Sequence, residues 1–284
     1  MGDELFCLEK LSEIVETILF TSSVRDESPV SVIIVGPSGS AKSKLIKLYQ
    51  GPNIHVTDSI TSQGLWEIVQ RDPKNEKQFI LIPDINPTLS RRTATAISTV
   101  SNLLTITADG SVRIDDGRGD KICNHAPMGL ITACTPEIYH RHAKQWFALG
   151  LVRRIIPLFF TYTSDTTSEL QTYVTNGKIH ASFGTPRTLK LPSLARPSLN
   201  GANAEVLESH SYMFSNNLGK LSFVNKGSKK WAMREIVPIS PHVTLRTLAM
   251  AHALRRRSAV VGEEETQFVK MFLGFTDPEK PRQV

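Results

Sequence analysis

The stretch Ser31-Val32-Ile33-Ile34-Val35-Gly36-Pro37-Ser38-Gly39-Ser40-Ala41-Lys42-Ser43-Lys44-Leu45-Ile46 decides how the rest of the chain is read. Ser31 to Val35 is a short, β-branched apolar run, the composition of a strand buried on both faces in a parallel sheet. Gly36-Pro37 ends it. Leu45, Ile46 and Leu48 then recur at helical steps, so a helix is expected to begin within the glycine-rich turn. Between the two, Gly36 to Ser43 has the spacing G-x-x-x-x-(small)-K-S. Phosphate chemistry needs that arrangement: backbone N–H groups converge on a β-phosphate, a lysine reaches the outer phosphates and a hydroxyl coordinates Mg²⁺. The helix adds its positive N-terminal end. Ala41 replaces the usual second glycine, and a methyl group is compatible with a helix-like backbone there. Gly36, Pro37, Ser38, Gly39, Ser40, Ala41, Lys42, Ser43 and Leu45 are therefore the candidate ATP-binding set, with Ser43 as a ligand of Mg²⁺.

Working outward, three more apolar runs read as core strands: Phe79 to Ile82, Met128 to Cys134 and Ile155 to Tyr162. Asn53 to Val56 is a shorter candidate. Helical spacing appears over Asp3–Phe20, over Thr57–Gln70 with Thr57 or Asp58 as N-cap, and over Thr93–Leu104. Ile106 to Ile114 and Asp115 to Asp120 look like a hairpin, with turns at Asp109-Gly110 and Asp116-Gly117. Strands alternating with helical segments predict an α/β fold, a parallel sheet flanked by helices. Ser164 to Lys230 is rich in Ser, Thr, Asn, Gly and Pro and resists assignment. Helical patterning returns from about Val243, and a second helix, Glu263 to Leu273, follows a Val-Val-Gly break. The predicted organisation is a nucleotide-binding core over 1–163, a connecting region over 164–235 and a small helical lid over 236–284.

Asp84 ends the second core strand, where a carboxylate lies beside a phosphate loop and holds Mg²⁺ through water. ATPases of this kind usually place a glutamate next, to orient and deprotonate the attacking water. Here that residue is Ile85, so either another acid serves, with Glu137 and Asp58 as candidates, or hydrolysis is slow or absent.

At this point the chain resembles AAA+ proteins, and most the branch that includes the minichromosome-maintenance helicases. Those relatives also carry alanine before the loop lysine, and a hairpin before the next core strand, similar to Leu104–Cys123 here. Gly129 to Pro136 resembles the family's sensor 1 strand, with Thr135 in the place that touches the γ-phosphate or the water. Leu149 to Pro157 is similar to the segment that supplies an arginine finger to a neighbouring subunit, which implies that role for Arg154, with Arg153 second. Leu245 to Leu254 is similar to the helix carrying sensor 2, which implies Arg246 as a further nucleotide contact. The resemblance implies a P-loop AAA+ core with a C-terminal helical lid, ATP and Mg²⁺ as cofactors, and a homo-oligomeric ring, a hexamer in the family's usual form. It reaches from the N-terminus to Pro157 and again from Val243. The compact form looks more like AAA+ ATPases of phages and mobile elements, which implies the cytoplasm of a cell carrying one.

A formal charge of +6 and a pI near 9.2 are compatible with a polyanionic partner. Basic residues cluster at Arg91-Arg92, Lys229-Lys230 and Arg255-Arg256-Arg257, and the hairpin carries Arg113 and Lys121 among four aspartates. A DNA motor, such as a small helicase or helicase loader in replication, is the preferred expectation. A protein-remodelling ATPase and an ATP-binding switch are the alternatives. No apolar run reaches the roughly 20 residues that span a bilayer, so no membrane partner is expected. Three scattered cysteines argue against a disulfide framework, and His125, His140, His142 and His180 lack the spacing of a metal site.

Overall fold

The computed structural model describes residues 8–71, 76–115, 120–150, 154–175, 186–220 and 239–284. The chain opens with α1 (Glu9–Phe20), β1 (Ser31–Val35), α2 (Lys42–Lys47), β2 (Tyr49–Gln50) and β3 (Ile54–Val56). There follow α3 (Ser62–Gln70), β4 (Phe79–Ile82), α4 (Asn86–Leu89), α5 (Thr93–Asp109), β5 (Ser111–Asp115) and β6 (Asp120–Asn124). Next come β7 (Gly129–Cys134), α6 (Pro136–Ala148), β8 (Ile155–Thr161) and α7 (Ser164–Thr175). The remainder is β9 (Arg187–Thr188), β10 (Ser198–Leu199), α8 (Gly201–Lys220), α9 (Ile239–Arg255), β11 (Val260–Val261), α10 (Glu263–Leu273) and β12 (Arg282–Gln283).

The molecule is α/β, built on a parallel six-stranded sheet in the order β12-β8-β1-β7-β4-β3. Every residue of β1, β4 and β7 is buried, so both faces of the sheet are covered. That is why these strands read as unbroken apolar runs rather than as alternating ones. The chain leaves β1 for β3 on one side and returns to β8 on the other. The carboxyl end of β1 therefore lies where the strand order reverses, the place at which open α/β sheets hold ligands. This architecture is shared by P-loop and Rossmann-like folds.

Several boundaries differ from the sequence reading. α3 starts at Ser62, not Thr57, because Thr57 still donates its N–H to Leu81 of the neighbouring strand at 3.0 Å. Thr61 is the N-cap, its hydroxyl accepting the Gly64 N–H at 3.0 Å. α5 runs on to Asp109, through residues whose β-branching suggested a strand. Burial of Ile106 and Thr107 outweighs that local preference. The hairpin is thus β5 and β6 alone, packed on α3 and α5. Asn102 fixes it to α5, donating from Nδ2 to the Arg113 carbonyl at 2.8 Å and accepting the Arg113 N–H at 3.0 Å.

Gly110 makes this junction possible. It closes α5 at φ 69°, and a Cβ placed there would sit 1.8 Å from the His125 carbonyl oxygen. Gly110→Ala is expected to cost at least about 2 kcal/mol, combining left-handed strain with a backbone clash. Chemical denaturation reads this as a lower midpoint at unchanged slope.

The described residues of the unassigned stretch from Ser164 to Lys230 include two helices, α7 and α8. α8 packs with α9 and α10, while α9 also lies against α1. Polar residues facing water dilute the apolar spacing of α8, whose buried apolar residues are Leu207, Phe214 and Leu218. The last described strand, β12, returns to the edge of the central sheet beside β8. The expected start of the first helix at Asp3 lies outside the described residues. No described helix is long and apolar enough to cross a membrane.

Candidate functional site

Three adjacent strands deliver the candidate residues to one edge. β7 pairs with both β1 and β4, so the segments after these strands (36–43, 83–84 and 135–137) emerge side by side. Gly36 leaves β1 with its N–H pointing to the Cys134 carbonyl at 3.4 Å. A Cβ on Gly36 would meet the Phe160 ring at 2.3 Å, so only glycine fits this exit. At the far side of the loop, Tyr162 donates its hydroxyl to the Ser40 carbonyl at 3.1 Å. Phe160 and Tyr162, which the sequence reading did not single out, thus shape the loop from β8 and the residue just after it. The signal was available: the apolar run 155–162 ends at the same edge as β1.

Within the loop, Lys42 folds back on its own chain. Its ammonium donates to the Gly36 carbonyl at 2.8 Å, the Pro37 carbonyl at 2.5 Å and the Ser40 hydroxyl at 3.1 Å. Burial lowers its pKa, against the neighbouring Cys134, Asp84 and Glu137, which favour the charged form. Ser43 is exposed and donates its hydroxyl to the Pro83 carbonyl at 3.0 Å. Asp84 follows directly, exposed, with Oδ1 accepting the Asn86 N–H at 2.9 Å. Ile85 turns inward and is 2% exposed.

Ala41 departs from the expectation of a helical backbone. It takes φ 60°, ψ 11°, and α2, only six residues long, begins at Lys42. Left-handed geometry costs an alanine on the order of 1 kcal/mol relative to glycine. Ala41→Gly is accordingly expected to raise stability by up to about 1 kcal/mol, the strain relieved exceeding the entropy gained by the unfolded chain. A thermal melt checks the sign.

Beside the loop, Thr135 caps the first turn of α6, its hydroxyl accepting the Ile138 N–H at 3.5 Å. Glu137 is exposed in that turn, and its pKa is lowered, first by the Thr135 hydroxyl and further by nearby His140 and Lys42. Cys134, buried beneath them, has its thiol pushed up to about 12, first by burial.

Other candidates lie elsewhere. Leu45 is wholly buried and packs in the core. Arg154 precedes β8 at the amino edge of the sheet, its guanidinium donating to the Leu104 carbonyl at 3.4 Å. Arg246 is also at the amino edge, bonded at 2.5 Å to Glu27, which precedes β1. It sits the length of a strand from its own Gly36–Ser43 loop. Asp58 is paired with Lys47 at 2.8 Å. Arg153, Lys229, Lys230 and His180 lie outside the described residues. Among the described residues, no group of three or more His, Cys, Asp or Glu side chains is placed to hold a metal ion.

Mg²⁺ asks for less than such a group. It takes hard oxygen donors, one or two from protein and the rest from phosphate and water. The Ser43 hydroxyl and the Asp84 carboxylate, on neighbouring segments of one edge, fit that donor set. No protein-family model matches the chain, and no curated protein matches it.

Proposed function

We propose that the chain binds Mg·ATP at the Gly36–Ser43 loop and hydrolyses it slowly, as an AAA+ type ATPase that works as a homo-oligomeric ring on DNA. The observation that carries this reading is the meeting of Lys42 and Ser43, Asp84, and Thr135 at the carboxyl ends of three adjacent parallel strands. Lys42 would exchange its carbonyl partners for phosphate oxygens. Ser43 and Asp84 would hold Mg²⁺, which supplies charge neutralisation at the phosphates. Thr135 would contact the γ-phosphate side. Slow turnover is favoured by Ile85, whose side chain belongs to the core.

The ring is supported by Arg154. It lies at the edge of the sheet opposite its own loop, so it can serve as an arginine finger only toward a neighbouring copy. The resemblance implies the same arrangement, and Arg153 remains the second candidate. Arg246, held by Glu27, acts in this account as a structural ion pair rather than a nucleotide contact.

The DNA role rests on the net charge, Arg91-Arg92 and the β5–β6 hairpin. Arg255 and Arg256 contribute less than the sequence suggested. Arg255 is paired with Glu13 at 3.0 Å, and Arg256 is paired with Glu264 and, at 2.9 Å, with Glu265. Phosphate release from ATP, measured with and without single-stranded and duplex DNA, tests the whole proposal. Stimulation by DNA supports the motor. Stimulation by a protein partner instead would move the reading to protein remodelling, and binding without turnover would leave a nucleotide switch.

A further inference from the structure

We infer that Glu137 is the base that takes the proton of the attacking water, an assignment that rests on the proposed ATPase reading. The usual position for such an acid, the residue after Asp84, is closed to this chemistry. Ile85 points into the core and donates its N–H to the Ala133 carbonyl at 3.0 Å. Asp58 is also removed: it follows β3, which β4 and β7 separate from β1, and its carboxylate is engaged by Lys47. Asp84 lies on the other side of the task. It adjoins Pro83, whose carbonyl accepts the Ser43 hydroxyl, and this places its carboxylate with the metal-binding hydroxyl.

Glu137 remains. It enters α6 three residues after Cys134, at the end of the strand that runs between β1 and β4. Its carboxylate is open to solvent, so a water can reach it. Thr135 stands two residues before it as the cap of α6, and its hydroxyl and Lys42 both favour the charged form of Glu137. A carboxylate open to water, on the segment that emerges beside the Gly36–Ser43 loop, is placed to accept a proton from the attacking water. In the step, the water oxygen forms a bond to the γ-phosphorus as the bond from phosphorus to the β,γ-bridging oxygen breaks. The bridging electron pair stays on ADP. The water proton passes to Glu137 and then to solvent, leaving ADP and inorganic phosphate.

The test uses the full chain and reads Mg·ATP affinity by calorimetry, phosphate release, and the Mg²⁺ concentration giving half-maximal turnover. Glu137→Gln is expected to bind Mg·ATP within about threefold of wild type while turnover falls roughly 100-fold or more, with the Mg²⁺ requirement unchanged. Asp84→Asn should raise the Mg²⁺ requirement. Asp58→Asn should keep turnover within about twofold. Glu137→Gln turning over near the wild-type rate would overturn the assignment. So would wild-type protein that binds Mg·ATP without turning it over, or Asp84→Asn proving to be the variant that binds but does not react. Wild-type protein that fails to bind Mg·ATP would instead defeat the ATPase reading itself.

Discussion

Lys42→Ala is expected to weaken Mg·ATP binding by roughly 100-fold or more, since each charge-assisted hydrogen bond to phosphate contributes on the order of 1.5–3 kcal/mol. Turnover should fall below detection. The ammonium already sits among three oxygens of its own loop, at 2.5 to 3.1 Å. It is buried there, and burial disfavours its charge. Alanine therefore removes a desolvated cation along with its contacts, and the two effects oppose each other in the unliganded fold. Denaturation midpoints of wild type and variant should lie close together, while calorimetric titration with Mg·ATP separates them. A variant that binds as tightly as wild type would show that the phosphates are held elsewhere. One that unfolds would show that Lys42 is structural.

Glu265→Ala is expected to be strongly destabilising, costing about 3–5 kcal/mol, the range for removing one partner from a buried ionic cluster. Glu265 is 2% exposed and accepts from the Gly262 N–H at 2.7 Å, Arg256 at 2.9 Å and His252 Nδ1 at 3.3 Å. His252 turns its other ring nitrogen to Glu13 on α1 at 3.4 Å and stacks on Phe268 with ring centroids 4.4 Å apart. One cluster thus ties α10, α9 and α1 together. The variant leaves the Gly262 N–H and the imidazole without their acceptor in the interior. Burial pushes the Glu265 pKa up, but the Gly262 N–H, Arg256 and His252 outweigh it and hold it below its ordinary 4.5. Because the folded value is the lower one, this stability is complete above about pH 4.5 and is lost as pH falls through the folded value. Denaturation midpoints measured against pH should drop below that point in wild type, and the drop should shrink in Glu265→Gln.

Much of the fold was legible because buried parallel strands leave a simple trace. Val32–Val35, Phe79–Ile82, Leu130–Cys134 and Ile155–Phe160 have no polar face to confuse the pattern. Less legible were elements whose fate is set by distant partners. Ile106 and Thr107 look like strand residues, yet α5 buries them, and only Gly110 ends the helix. α8 shows scattered apolar residues because it buries a narrow stripe against α9 and α10. β12, two residues long, carries no signal of its own; it exists because β8 offers an open edge.

Residues near one another in sequence, from Gly36 to Ser43, could be recognised as one candidate site. Asp84 and Glu137 are legible as separate candidates for this site, while the strand order that brings their segments beside the loop is not. A buried carboxylate ahead of β1, Glu27, claims Arg246, and no spacing rule announces such a pair. The left-handed backbone of Ala41 is likewise a property of the folded loop, invisible in the residue type.

The measurement that tests the central claim most directly is calorimetric titration of the wild-type chain with Mg·ATP, repeated with Mg·ADP and AMP. The proposed phosphate loop predicts one site per chain, comparable affinity for ATP and ADP, and AMP weaker by roughly 10-fold or more. Absence of binding, or AMP bound as tightly as ATP, would contradict the account.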